Sequence, residues 1–150
     1  MPHSHSRLLT HIIFSTKDRK PLIDSAFESR LFAYIGGIVR QLGGILVIAN
    51  GVDDHVHLLI ELPASIGVAE SVRKIKANST LWIHQSFADR SEFWWQRGYA
   101  ALSVSNSNVR AVARYIERQK AHHKKASFRD EFLQLLRRHD ISPDERYLWT

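Results

Sequence analysis

The segment from Ile45 to Glu61 constrains the fold more than any other part of this chain. Ile45 to Ala49 is an apolar run of buried-strand character, and His55 to Glu61 is a second strand-like run. Between them Asn50-Gly51 and Asp53-Asp54 carry turn chemistry, so the two runs read as one hairpin. Side chains alternate along a strand, so Val56, Leu58 and Ile60 belong to one face and His55, His57, Leu59 and Glu61 to the other. The first face is core. The second carries two histidines and a leucine, and a leucine there asks for cover.

The flanking sequence supplies the rest of the sheet and one layer of helices. Leu8 to Ser15 reads as a first strand, ended by the polar turn Thr16 to Pro21. Ser25-Ala26-Phe27-Glu28 has the form of a capping box, and Phe27, Leu31, Ile35, Ile38 and Leu42 keep helical spacing until Gly43-Gly44. After the hairpin, Pro63-Ala64-Ser65 leads into a second helix with Val68, Val72, Ile75, Ser79 and Trp82 on one side. An aromatic segment, Phe93 to Tyr99, precedes a strand over Tyr99 to Ser103. Ser105 to Asn108 caps a helix bearing Tyr115, and a last helix runs from about Phe128 to His139, ahead of the tail Tyr147-Leu148-Trp149. The order β-α-β-β-α-β predicts an α+β, ferredoxin-like (RRM-like) antiparallel sheet, with additional C-terminal helices that include the tyrosine helix. No repeat, low-complexity stretch or linker divides the chain, so residues 1–150 are read as one domain, with basic helices from about residue 106.

Composition narrows the chemistry. There is no cysteine, so a metal site must use nitrogen or oxygen donors. No apolar run reaches the ~20 residues of a membrane-spanning helix, and the N-terminus lacks a signal-peptide core; a cytoplasmic location is expected. The formal charge is +6, and the stretch Arg110 to Arg138 holds nine Lys/Arg against three Asp/Glu. That asymmetry suits a polyanionic partner.

Two short patterns then stand out. His55-Val56-His57 puts two imidazoles on one face of a strand, and Tyr115-Ile116-Glu117-Arg118-Gln119 puts a phenol and an amide four apart on a helix. Imidazole nitrogens and a neutral amide oxygen can hold a divalent cation with room left for phosphate. A cation there would polarise a phosphodiester and steady the departing oxygen. A phenol with a pKa near ~10 needs activation, and the ester it forms retains the energy of the broken linkage, which favours strand transfer over hydrolysis.

Taken with Arg73-Lys74-Ile75-Lys76 and Trp95-Gln96-Arg97-Gly98-Tyr99, these motifs resemble the HUH-type single-tyrosine transposases. More narrowly, the chain resembles the insertion-sequence-200-like class that includes the REP-associated tyrosine transposases, from about Leu8 to Trp149. The resemblance implies a metal-dependent endonuclease and strand transferase acting on single-stranded DNA and recognising hairpins. It implies Tyr115 as the nucleophile of a 5′-phosphotyrosine link, His55 and His57 as metal ligands, and Gln119 as the completing ligand. It further implies Mg2+ or Mn2+ as the ion and a homodimer in which the tyrosine helix of one subunit serves the histidines of the other. Two histidines suit manganese better than magnesium on ligand preference.

Further expectations concern DNA contacts. Lys17 and Arg19 after the first strand, Arg73, Lys74 and Lys76 on the second helix, and the row Arg110, Arg114 and Arg118 are candidate phosphate-binding residues. Phe93, Trp94, Trp95 and Tyr99 are either base-stacking groups or core. His11, His84, His122, His123 and His139 show no pattern that marks a site. Three other readings stay open: a domesticated relative that processes chromosomal repeats, a non-catalytic single-stranded nucleic-acid binding module, and a histidine phosphoesterase. The second would place aromatics on the central strands, and the third would need a second histidine motif.

Overall fold

A computed structural model describes residues 4–144, so the tail Tyr147-Leu148-Trp149 lies outside the described residues. Four strands, β1 (Leu8–Ser15), β2 (Ile45–Gly51), β3 (His55–Leu62) and β4 (Ala100–Val104), form one antiparallel sheet in the order β2-β3-β1-β4. This is the strand order of the split β-α-β arrangement. Helices α1 (Ser25–Gln41) and α2 (Val68–Ser86) cover one face. Beneath them Ile12, Phe14, Val56, Leu58 and Ile60 meet Phe27, Leu31, Ile35, Val72 and Ile75, all buried. The α+β class and the ferredoxin-like sheet are therefore observed.

Element boundaries differ from the sequence reading by a few residues. Helix α1 is capped by Asp24, whose Oδ1 accepts from Phe27 N at 2.9 Å, so Ser25 is the first helical residue and not the cap. The carboxylate at 24 also receives Arg90 Nη2 at 2.7 Å, tying the cap to the turn after α2. Helix α2 begins at Val68 with Gly67 as its cap, and β4 starts one residue later than the pattern suggested. The aromatic segment is divided between two environments. Phe93 is core, and Trp95 packs on Phe14 and Phe93 while its indole N–H donates to Ser79 Oγ; Trp94 and Tyr99 are exposed.

The second face of the sheet is covered by α3 (Val109–Glu117), the single turn α4 (Gln119–His122) and α5 (Phe128–Arg138). Leu59 has no exposure and packs with Leu9, Val104 and Ile116 of α3. Ile13, Ala100 and Leu102 pack against Phe128, Leu135 and Leu136 of α5. The cover that Leu59 called for comes from the chain's own C-terminal helices. Among the described residues no helix is long and apolar enough to cross a membrane.

Candidate metal and tyrosine site

Strand β3 presents His55 and His57 to the C-terminal layer, as the alternation required. The cover that Leu59 requires extends over the histidines, and both imidazoles are fully buried. Leu59 and its neighbours pull α3 and α5 onto this face by apolar burial, and the histidines are enclosed with them.

The imidazoles are held from behind and converge in front. His55 Nδ1 lies 2.7 Å from Asp54 Oδ1, and His57 Nδ1 lies 2.8 Å from His11 Nε2. Both Nε2 atoms then face the same carboxylate oxygen, Glu131 Oε1, at 3.4 Å from His55 and 3.1 Å from His57. His123 Nε2 approaches that oxygen at 2.9 Å. The other carboxylate oxygen, Oε2, accepts from the Tyr115 hydroxyl and, at 2.8 Å, from the Gln119 amide. Glu131 thus joins the tyrosine to the histidine pair.

Tyr115 and Gln119 do not share one uninterrupted helix. Helix α3 ends at Glu117, and Arg118 (φ −93°, ψ 14°) separates it from α4. Asn50 explains the break: its Nδ2 donates to the carbonyls of both Ile116 and Glu117 at 3.0 Å, and its Oδ1 accepts from Lys120 Nζ at 2.8 Å. Carbonyls claimed by a strand side chain are diverted from the next helical turn. The bend leaves Gln119 fully buried, with its amide oxygen 3.4 Å from His55 Nε2.

Burial and hydrogen bonding set the protonation states. Burial, aided by repulsion from His57 whenever that ring is protonated, pushes His11 down to about 3. Burial also lowers His57 to about 4, against the pull of Glu131, so both rings are neutral near pH 7. For His55 burial acts the same way, but hydrogen bonds to Asp54 and Glu131 outweigh it and the pKa is raised. Burial would raise Glu131, yet hydrogen bonds from His123, His55 and His57 hold it well below the carboxylate range. The Tyr115 phenol is pushed above its ordinary value by burial and by its bond to Glu131. A phenol raised in this way stays un-ionised near pH 7 and needs a base or a nearby cation before it can attack.

One nitrogen-oxygen set fits a divalent cation. His55, His57, His123 and Glu131 each offer a ligand atom, all within 4.8 Å of one another. His122 Nε2 is buried with no hydrogen-bond partner among the described residues, 3.6 Å from Glu131 Oε2. Three imidazoles and one carboxylate suit transition ions and manganese better than magnesium. Of the expected set, Tyr115, His55, His57 and Gln119 come together within one chain.

Sequence reasoning overlooked Glu131, His123 and His11. Glu131 had a signal, because it shares the apolar spacing of Phe128 and Leu135 on α5 and so falls on that helix's buried stripe. His11 lies on the same sheet face as His57 and diagonal to it, since Ile13 is the direct partner of His57. Finding it requires the β1–β3 register. No comparable signal marks His123.

The basic candidates occupy several surfaces. Arg110, Arg114 and Arg118 form an exposed row beside Tyr115, and Arg114, Arg118 and Lys125 line a groove that reaches the tyrosine. Lys17 and Arg19 lie in the 3-10 turn after β1. Arg73 and Lys74 pair with Glu70 at 2.6 and 3.8 Å on exposed α2. The Lys76 ammonium donates to the carbonyls of Gln96 and Gly98 at 2.8 and 2.6 Å, clasping the loop before β4. Burial lowers its pKa to about 8.

Comparison with known proteins agrees with this architecture. Residues 4–119 match a family model described as "Transposase IS200 like". The transposase for insertion sequence element IS200 of Salmonella typhimurium is 27% identical over 128 residues, 79% of this chain and 81% of that protein. A crystal structure from Deinococcus radiodurans R1 superposes with a TM-score of 0.63 at 24% identity, covering 78% of this chain and 94% of the other. A REP-associated tyrosine transposase bound to a REP hairpin superposes with a TM-score of 0.60 at 15% identity, covering 81% and 73%.

Proposed function

The chain belongs to the IS200-like transposase family, and from that premise we propose that it is a metal-dependent single-stranded DNA endonuclease and strand transferase with Tyr115 as nucleophile. The observation that carries this reading is the link through Glu131: one carboxylate oxygen faces the Nε2 atoms of His55 and His57, and the other holds the Tyr115 hydroxyl.

In this reading His55, His57, His123 and Glu131 would hold the ion, with Gln119 beside it; Mn2+ or Mg2+ would be the ion, and the donor set favours manganese. When bound, the cation withdraws charge from the scissile phosphate and from the departing 3′ oxygen. The groove lined by Arg114, Arg118 and Lys125 brings the phosphate to Tyr115. Because the phenol is engaged, the Tyr115 hydroxyl must leave Glu131 Oε2 to reach the phosphodiester, while Oε1 stays with the histidine pair. The freed phenol gives its proton to water and its oxygen attacks phosphorus. The P–O3′ bond breaks and the departing 3′ oxygen takes up a proton from water, leaving a 5′-phosphotyrosine and a 3′-OH. A second 3′-OH reverses the step and rejoins DNA without a nucleotide cofactor.

Hairpin DNA is the proposed target, supported by the REP hairpin bound to the structural neighbour. Arg110, Arg114, Arg118, Lys17, Arg19, Arg73 and Lys74 are proposed phosphate contacts, with Lys76 acting through the loop it clasps. A homodimer is also proposed. The tyrosine helix packs here on its own chain's sheet, so exchange between subunits requires release of Asn50 and Leu59 from α3.

The test is a denaturing gel. Protein, Mn2+ and labelled single-stranded DNA from the flanks of its gene should yield a denaturation-resistant adduct that vanishes in Tyr115→Phe. Cleavage that survives Tyr115→Phe would overturn the covalent route. DNA retention without cleavage would favour a binding module.

A further inference from the structure

The back of His57 is held by an unusual partner. His55 leans on a carboxylate, Asp54, whereas His57 Nδ1 meets another imidazole, His11 Nε2, at 2.8 Å. Both rings are buried, His11 at 4% exposure and His57 at 0%, with centroids 5.1 Å apart. The two nitrogens meet directly, with no space for a water between them. The pairing is also built in from the backbone: β1 and β3 set Ile13 opposite His57 and put His11 two residues further along the same face.

We propose that His11 is a positioning residue for the metal site, fixing the ring orientation and tautomer of His57 through its Nε2. This inference rests on the assignment of His57 as an ion ligand. A ring that gives its Nε2 lone pair to a cation must carry its proton on Nδ1. Among the described residues the acceptor that faces that N–H is His11 Nε2, at 2.8 Å. His11, which lines a cavity of about 360 Å³ together with Tyr115, Ser103 and His139, must then be the tautomer protonated on Nδ1.

When the ion is absent the order reverses. Glu131 is a carboxylate and only accepts, so His57 donates to it from Nε2 and turns an acceptor Nδ1 toward His11. Loading the site therefore moves the proton of each ring to its other nitrogen. No net charge changes on His11 or His57. An imidazole can serve as donor in one state and acceptor in the other, which a carboxylate cannot do while staying ionised.

The experiment uses the full chain labelled with 15N-histidine. Ring nitrogen shifts are recorded without metal and with Mg2+, and Mn2+ affinity is measured by calorimetry on wild type, His11→Gln and His11→Leu, alongside thermal melts. Inversion of both tautomers on Mg2+ loading is expected. His11→Leu, which offers no acceptor, should bind Mn2+ about 10- to 100-fold more weakly. His11→Gln, whose amide oxygen can accept, should recover most of that loss. A merely structural role would lower the melting temperature of both variants and leave the tautomers alone. His11 still protonated on Nε2 in loaded protein, or equal Mn2+ affinity in the folded leucine variant, would overturn the proposal. Should His11→Leu not fold, the wild-type spectra decide. Wild type that binds neither ion removes the metal reading itself, an outcome distinct from a bound ion with unchanged His11.

Discussion

Replacing Glu131 by glutamine probes the centre of the site at nearly constant volume. The carboxylate is 2% exposed and receives His57 at 3.1 Å, His123 at 2.9 Å, Gln119 at 2.8 Å and the Tyr115 hydroxyl. An amide keeps one acceptor oxygen but turns an NH2 group toward either the histidine pair or the Gln119 and Tyr115 donors. Hydrogen bonds to charged groups contribute about 1.5–3 kcal/mol against about 0.5–1.5 for neutral ones, so two surviving bonds lose roughly 1 kcal/mol each. A buried donor facing donors adds about 1–3 kcal/mol. The sum, about 3–5 kcal/mol, agrees with the usual cost of breaking a buried ion pair. For a chain of this size each kcal/mol lowers Tm by about 2–4 °C, so a fall of roughly 10 °C is expected in EDTA at pH 7.5. Differential scanning calorimetry reads it. Mn2+ should raise the wild-type Tm and raise that of Glu131→Gln much less: a 100-fold weaker site turns ~2.7 kcal/mol of linkage into ~0.4. An unchanged or higher Tm in EDTA would refute the enclosure of Glu131 by these groups.

Asn50→Ala removes two bonds to α3 carbonyls and one from Lys120, and should cost about 1–3 kcal/mol in urea melts. An unaltered midpoint would deny Asn50 its part in the helix break. Leu59→Ala opens a void under α3 and should destabilise by about 2–5 kcal/mol, with faster amide exchange in residues 109–117 than in α1; uniform protection would show that α3 does not depend on this contact. Acid should weaken the fold early. His11 and His57 have folded-state pKa values of about 3 and about 4, below their unfolded value of 6.5, so the unfolded chain takes up protons first. Their stability contribution is complete above pH 6.5 and declines by up to ~1.4 kcal/mol per pH unit for each group as pH falls toward those values. His55, with a raised pKa, acts in the opposite sense and offsets part of the decline. A metal-free urea midpoint that stays flat from pH 7 to pH 5 would contradict neutral burial of the pair.

The α+β class and the order of strands and helices were legible because each rests on local periodicity and turn chemistry. Alternation from His55 to Glu61 told which side chains share a face, and Asn50-Gly51 told where the chain turns back. The same alternation brought His55 and His57 to one side, and Tyr115 and Gln119 were paired by spacing alone. Contacts between distant segments were not legible. Nothing local reports that Asn50 takes the carbonyls of Ile116 and Glu117, or that β1 registers on β3 so as to put His11 behind His57. Glu131 is the sharpest case: its place on an apolar stripe could be counted, but not which buried surface the stripe would meet. Periodicity is written in neighbouring residues, whereas pairing of a carboxylate with histidines some seventy-five residues away is decided only when apolar faces choose each other. The chain alone therefore determined the strands, the face shared by the two histidines and the identity of the nucleophile candidate. Tertiary packing determined that the site is closed, which carboxylate closes it, and which imidazole stands behind it.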